Sequence, residues 1–153
     1  RLYKKLSFKN KYFTHRDFHA SNIMIFKGKL GLIDNQDAII GNPLYDVVSL
    51  IDDVRIKIPK KIKDKLFEYY LKKTKFEKVN SKNDFDILSI QRNLKILGIF
   101  MRLHIRDKKS NYLKYLPYTW KLIEMRLKNP IFNNLKILID SLISKAKRKR
   151  KKF

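Results

Sequence analysis

Apolar and polar positions divide the chain into two regimes. Early on, apolar residues come in short blocks: Tyr12 to Thr14, then Ile23-Met24-Ile25-Phe26, then Leu30-Gly31-Leu32-Ile33. Blocks of four rich in Ile and Leu read as strands, and Lys27-Gly28-Lys29 between the last two has the length and composition of a hairpin turn. Residues 1–11 are basic with scattered apolar positions and read as the end of a helix. Gly41-Asn42-Pro43 breaks the chain before a helical stretch from Tyr45 to Arg55.

After Pro59 the period lengthens. Ile62, Leu66, Tyr69 and Tyr70 share one face at helical spacing. Asn83-Asp84 is read as an N-cap for a long helix reaching Arg106, with Ile87, Ile90, Leu94, Leu97 and Met101 on one stripe. Tyr112 to Leu127 forms the next helix, with Pro117 at a kink or first turn. Asn129-Pro130 supplies a cap and first-turn proline for a last helix carrying Leu135, Leu138, Ile139, Leu142 and Ile143. The fold class expected is α+β, mostly helical, with a small hairpin-bearing front and a helical remainder in one domain.

Composition narrows this picture. The chain has 153 residues and 44% hydrophobic positions, enough for one core and against wholesale disorder. No apolar run is long enough to span a bilayer. With no Cys, neither disulfides nor thiolate metal sites are available, which fits a reducing, cytoplasmic setting.

Charge is the loudest feature: Lys+Arg 37 against Asp+Glu 14, a net +23. Lys outnumbers Arg 28 to 9, and Ile (19) and Asn (11) are abundant too. That joint excess is the mark of A/T-rich codons, and it disperses charge along the chain instead of concentrating it on one recognition element. No zinc-finger, basic-zipper or aromatic RNA-binding signature accompanies it, so no specific nucleic-acid partner is expected. The exception is residues 145–153, a basic tail expected to fray beyond its last apolar residue. A basic nucleic-acid-binding or scaffold protein with a decayed core is the alternative class that this charge keeps open.

Candidate chemistry lies between Tyr12 and Asp46. His15-Arg16-Asp17-Phe18-His19-Ala20-Ser21-Asn22 matches H-R-D-x-x-x-x-N, a kinase catalytic-loop pattern. Asp34 follows twelve residues after Asn22, and position 28 is their midpoint. A hairpin centred on Gly28 therefore sets Asn22 opposite Asp34 at its open end, with Asp17 entering from the loop just before. An amide oxygen and a carboxylate there suit Mg²⁺, and a nearby carboxylate suits deprotonation of a hydroxyl.

These segments, with Leu32-Ile33-Asp34-Asn35-Gln36-Asp37-Ala38 and Gly41-Asn42-Pro43-Leu44-Tyr45-Asp46-Val47-Val48-Ser49-Leu50, resemble the aminoglycoside phosphotransferase/choline kinase-like family, of protein kinase-like fold. Gln91 to Phe100 and Tyr112 to Pro117 extend the likeness to the bacterial N-acetylmuramate/N-acetylglucosamine anomeric kinases of that family. Asn35 departs from the pattern, which has an apolar or aromatic residue after the metal-binding Asp.

The resemblance implies that residues 1–144 form the C-terminal catalytic lobe of an ATP-dependent phosphotransferase. Asp17 would be the catalytic base, Asn22 and Asp34 the Mg²⁺-nucleotide ligands, and His15, Arg16 and Asp46 the supports of the loop. His19 is a candidate to approach a small-molecule hydroxyl substrate, such as an amino sugar. Asp37, Asp52, Asp53 and His104 are read as loop or surface residues, and Tyr112, Tyr115, Tyr118 and Trp120 as packing. A nucleotide-holding lobe with a glycine-rich loop has no counterpart among these residues, so an N-terminal lobe is expected as a missing partner, without which the fragment is expected to be inactive.

Overall fold

A computed structural model of the protein describes residues 2–150. The chain forms two compact units, residues 1–88 and 89–153. Among the described residues the structure is α+β and mostly helical, with two separate two-stranded antiparallel sheets.

In the first unit, β1 (Tyr12–Thr14) pairs with β4 (Ile39–Gly41), and β2 (Ile23–Phe26) pairs with β3 (Lys29–Leu32). The β2–β3 turn is a two-residue one. Lys27 (φ 47°) and Gly28 (φ 73°) both take left-handed conformations, as the primed turns that match strand twist require. The pairing runs Phe26 to Lys29 and Ile23 to Leu32. Its centre lies between Lys27 and Gly28, half a residue before the expected one, so the backbone of Asn22 faces Ile33 instead of Asp34.

The pairing of β1 with β4 was not expected, because Gly41 reads as a breaker. Its position explains it: a Cβ on Gly41 would lie 2.6 Å from Thr14 Oγ1. Only glycine lets the two strands close at that point.

Helices α1 (Tyr45–Ile51) and α2 (Lys60–Thr74) follow. Leu44, Val48, Ile51, Phe85 and Leu88 form the buried cluster, with Leu6, Phe8, Phe67 and Tyr70 packed against it. Tyr70 donates its hydroxyl to Pro43 O at 2.9 Å, and burial, first of all, pushes its pKa up to about 12.

Three expectations fail here for identifiable reasons. Among the described residues before β1, only a single 3₁₀ turn forms, Tyr3–Lys5, because Asp84 captures the next backbone groups: Ser7 N–H and Phe8 N–H donate to its carboxylate at 2.8 and 3.0 Å. For the same reason Asn83-Asp84 is not a cap. The long helix α3 (Lys78–Ile105) starts earlier, where the Glu77 carboxylate accepts the N–H groups of Val79 and Asn80. Asp52 and Asp53 do not face solvent either. Both are buried past the end of α1, Asp52 paired with Lys63 Nζ at 2.7 Å and Asp53 with Arg55 Nε at 3.1 Å.

The second unit comprises the rest of α3, α4 (Leu116–Arg126), α5 (Asn133–Leu142) and α6 (Lys145–Arg148). Pro117 sits in the first turn of α4, where it forfeits no hydrogen bond. Asn129 Oδ1 accepts Ile131 N–H at 3.2 Å and starts the 3₁₀ turn Pro130–Phe132 that leads into α5. Tyr112 and Tyr115 pack on Phe100, with ring centroids 5.4 and 5.9 Å away, and His104 meets Ser110 Oγ at 3.0 Å.

The basic tail is not frayed at Arg148, which is 3% exposed. Its guanidinium bonds Glu124, Asp140 and the carbonyls of Ile139 and Ile143, and lies 5.4 Å from the Trp120 ring centroid. Four acceptors and an aromatic face hold the planar head better than solvent does. Residues 151–153 of the tail lie outside the described residues.

Candidate active site

All the predicted site residues fall in the first unit, on the segment from β1 to the start of α1. The loop leaves β1 at His15 and needs help to turn, because Arg16 is held at φ 70°, a conformation that costs a non-glycine residue about 1–2 kcal/mol. That help comes from Asp46 in the first turn of α1. Its Oδ2 accepts His15 N–H at 2.7 Å and its Oδ1 accepts Arg16 N–H at 3.0 Å. One carboxylate thus satisfies both backbone donors at the bend, and two charge-assisted hydrogen bonds offset the strain. The Arg16 side chain reaches the Asp37 carbonyl at 3.3 Å.

His15 is 1% exposed, and its Nε2 lies 3.0 Å from the carbonyl of Ile33. A carbonyl only accepts, so the proton is on Nε2 and donates to it. Ile33 N–H in turn donates to Asn22 O at 3.1 Å. Ile33 is therefore gripped from both sides, by the imidazole that opens the loop and by the residue that closes it. Asp34 is its chain neighbour, so this grip ties Asp34 to the loop. Sequence reasoning missed Ile33, since a backbone role leaves no side-chain signature.

Within the loop the side chains of Asp17, His19 and Asn22 converge. His19 Nε2 lies 3.3 Å from Asp17 Oδ2. Asn22 Nδ2 donates to Asp17 O at 3.0 Å and approaches Asp17 Oδ2 at 3.5 Å. Asn22 is buried, His19 is 5% exposed at its side chain, and Asp17 is 49% exposed, so the carboxylate alone of the three meets solvent freely. With the amide nitrogen of Asn22 committed to a carbonyl, its Oδ1 keeps its lone pairs for another partner.

Asp34 is exposed and held at φ 67°, with Gln36 Nε2 donating to its Oδ1 at 2.5 Å. Two left-handed non-glycine residues, Arg16 and Asp34, bracket the loop and hairpin.

Among the described residues no group of three or more His, Cys, Asp or Glu is arranged to hold a metal ion. The donors suited to a cation are Asn22 Oδ1 and the Asp34 carboxylate, both hard oxygens. In donor chemistry, though no contact between them is shown, they are of the kind that would hold Mg²⁺.

The model of the phosphotransferase enzyme family matches residues 6–80, a span that contains every residue of this site. A relative from Neisseria meningitidis, an N-acetylmuramate/N-acetylglucosamine kinase, is 35% identical over 114 residues. The chain belongs to the phosphotransferase enzyme family.

Other relatives of this chain carry the same description. The Pseudomonas aeruginosa protein is 33% identical over 138 residues, covering 85% of this chain and 41% of its own length. The Caulobacter vibrioides protein is 28% identical over 137 residues, 86% of this chain and 38% of its own. The Neisseria alignment covers 70% of this chain and 34% of that relative. The chain thus spans between about a third and two fifths of the length of the curated relatives it matches.

Proposed function

We propose that this chain is the catalytic part, a protein kinase-like C-terminal lobe, of an ATP-dependent kinase that phosphorylates a hydroxyl of an amino sugar of the N-acetylmuramate or N-acetylglucosamine type. The observation that carries the reading is the loop itself. A half-exposed carboxylate, Asp17, is fixed by two neighbouring side chains, and the loop bearing it is clamped at its bend by Asp46. The names of the relatives support the amino-sugar acceptor.

Asp17 is the general base. The acceptor hydroxyl gives its proton to the Asp17 carboxylate as its oxygen forms a bond to the γ-phosphorus. The bond from that phosphorus to the bridging oxygen breaks, and ADP leaves. Asn22 and Asp34 would hold Mg²⁺, which would supply charge neutralisation to the phosphates. His15 and Asp46 keep the bend in place, so the base and the cation ligands stay at fixed separation. Such a kinase also needs a nucleotide-holding lobe, for which the described residues offer no glycine-rich phosphate loop. No helix among the described residues is long and apolar enough to cross a membrane; a cytoplasmic setting is part of the proposal and rests on its use of ATP.

The test is phosphate transfer by the full-length protein from ATP with Mg²⁺ to N-acetylmuramate and N-acetylglucosamine. Transfer is expected, with loss of at least about a hundredfold in Asp17→Asn. A wild-type protein that phosphorylates neither sugar, or an Asp17→Asn variant with near-normal turnover, overturns the reading.

A further inference from the structure

His19 carries a feature that neither substrate contact nor packing accounts for. Its ring is buried, yet Nδ1 is buried without a hydrogen-bond partner while Nε2 lies 3.3 Å from Asp17 Oδ2. Its backbone is fixed at both ends: His19 N–H donates to Asp17 O at 3.1 Å, and His19 O accepts Asn22 N–H at 2.9 Å. A proton on Nδ1 would be stranded, whereas a proton on Nε2 finds a carboxylate. The Nε2–H tautomer is thus the one that places the ring's proton beside a carboxylate oxygen of Asp17, 3.3 Å from Nε2.

The second donor falls on the same oxygen. Asn22 Nδ2 approaches Asp17 Oδ2, at 3.5 Å, so both side chains of the loop engage Oδ2 and leave Oδ1 its lone pairs. A half-exposed aspartate would otherwise rotate freely about its terminal torsion, which is broad and two-fold. Two polar side chains gathered on Oδ2, and none on Oδ1, favour one rotamer and leave the other oxygen free for an acceptor.

We infer that His19 is a positioning residue. It holds Asp17 Oδ2 through Nε2–H, so that Oδ1 is the oxygen that receives the proton of the acceptor hydroxyl. This rests on the proposed function and assigns within it which oxygen acts and what fixes it. His19 has little exposed edge with which to meet a sugar, and its role runs through Asp17.

The experiment compares His19→Ala, His19→Asn and His19→Gln in the full-length protein, with Asp17→Asn in parallel. A Gln side chain places an amide N–H near the Nε2 position, and Asn places one near Nδ1. His19→Ala and His19→Asn are expected to lose at least about tenfold in kcat with the KM for ATP little changed, and His19→Gln to recover most of that loss. Unchanged kcat in His19→Ala, or a Gln variant no better than the Asn variant, overturns the assignment. A second measurement needs no turnover. Long-range ¹H–¹⁵N spectra of the wild-type protein at mildly alkaline pH are expected to show the Nε2–H tautomer at His19, and an Nδ1–H tautomer overturns it. An inactive wild-type protein with the Nε2–H tautomer would instead fault the kinase reading, and would leave the orientation of Asp17 by His19 standing as measured.

Discussion

Asp46 Oδ1 accepts the backbone N–H of Arg16 at 3.0 Å while Arg16 sits at φ 70°, so the bend two residues past β1 is held by a carboxylate thirty positions away. The same carboxylate takes His15 N–H on its other oxygen. Replacing Asp46 by Asn leaves one of the two donors facing an amide NH₂ and removes the charge from both bonds. The expected cost is about 1–3 kcal/mol in urea unfolding. Turnover by the full-length protein should fall with it, because the bend carries Asp17. Asp46→Asn with unchanged stability would show that the bend is held by other contacts.

Asp52 and Lys63 are both buried and lie 2.7 Å apart. Removing one partner strands a charge in the interior. Lys63→Met is therefore expected to destabilise the protein by about 3–5 kcal/mol, and Asp52→Leu with Lys63→Met together to recover most of it. Thermal unfolding followed by circular dichroism reads both. A single variant as stable as the double would mean that the pair is solvated.

The start of α3 is pH-sensitive in a stated direction. The backbone N–H groups of Asn80, then of Val79, hold the Glu77 carboxyl below its ordinary pKa of 4.5. A lowered folded-state pKa contributes stability above the unfolded value and loses it as pH falls through the folded one. Wild type is expected to exceed Glu77→Gln in stability near neutrality. The gap should close progressively on acidification from about pH 5 downward. Parallel curves across that range would count against the cap.

Arg148 makes a similar point at the other end of the chain. Its guanidinium serves two carboxylates and two carbonyls at once, and its hydrogen bond to Asp140 lowers that carboxyl's pKa. A lysine supplies a single ammonium and cannot span those acceptors. Arg148→Lys and Arg148→Ala should therefore destabilise similarly, by about 1–3 kcal/mol in chemical unfolding. Lys147→Ala and Lys149→Ala, at exposed positions, are expected to be near neutral. A lysine that fully substitutes would show that charge alone anchors the segment.

What the sequence made legible follows from the range of the signal. The β2–β3 turn is local chemistry, and Lys27-Gly28 marked it to within half a residue. That half residue moved the facing partner of Asn22 from Asp34 to Ile33. The candidate side chains of the loop were legible as a motif, and His19 meeting Asp17 places two of them in contact. Asp84 and Asp52 were misread because their partners are distant or backbone: Ser7 N–H and Phe8 N–H for one, Lys63 on the next helix for the other. A charged residue at helical spacing looks solvated until the group that buries it is known. Glu77 as a cap was missed because helix starts are read from Ser, Thr, Asp and Asn.

Asp34 offers the sharpest separation of stability from chemistry. It holds φ 67° and is exposed, so its side chain contributes little to packing. Asn adopts the left-handed region nearly as readily as Asp, and Ala does not. Asp34→Asn should therefore unfold within about 0.5 kcal/mol of wild type, and Asp34→Ala about 1 kcal/mol lower. If Asp34 is a cation ligand, both variants lose at least about a hundredfold in turnover by the full-length protein, because each lacks the carboxylate. Raising Mg²⁺ should recover part of the loss in Asp34→Asn, whose amide oxygen remains a weak donor, and less in Asp34→Ala. Near-normal turnover in Asp34→Asn would remove Asp34 from the site and leave the φ of 67° as a purely local turn.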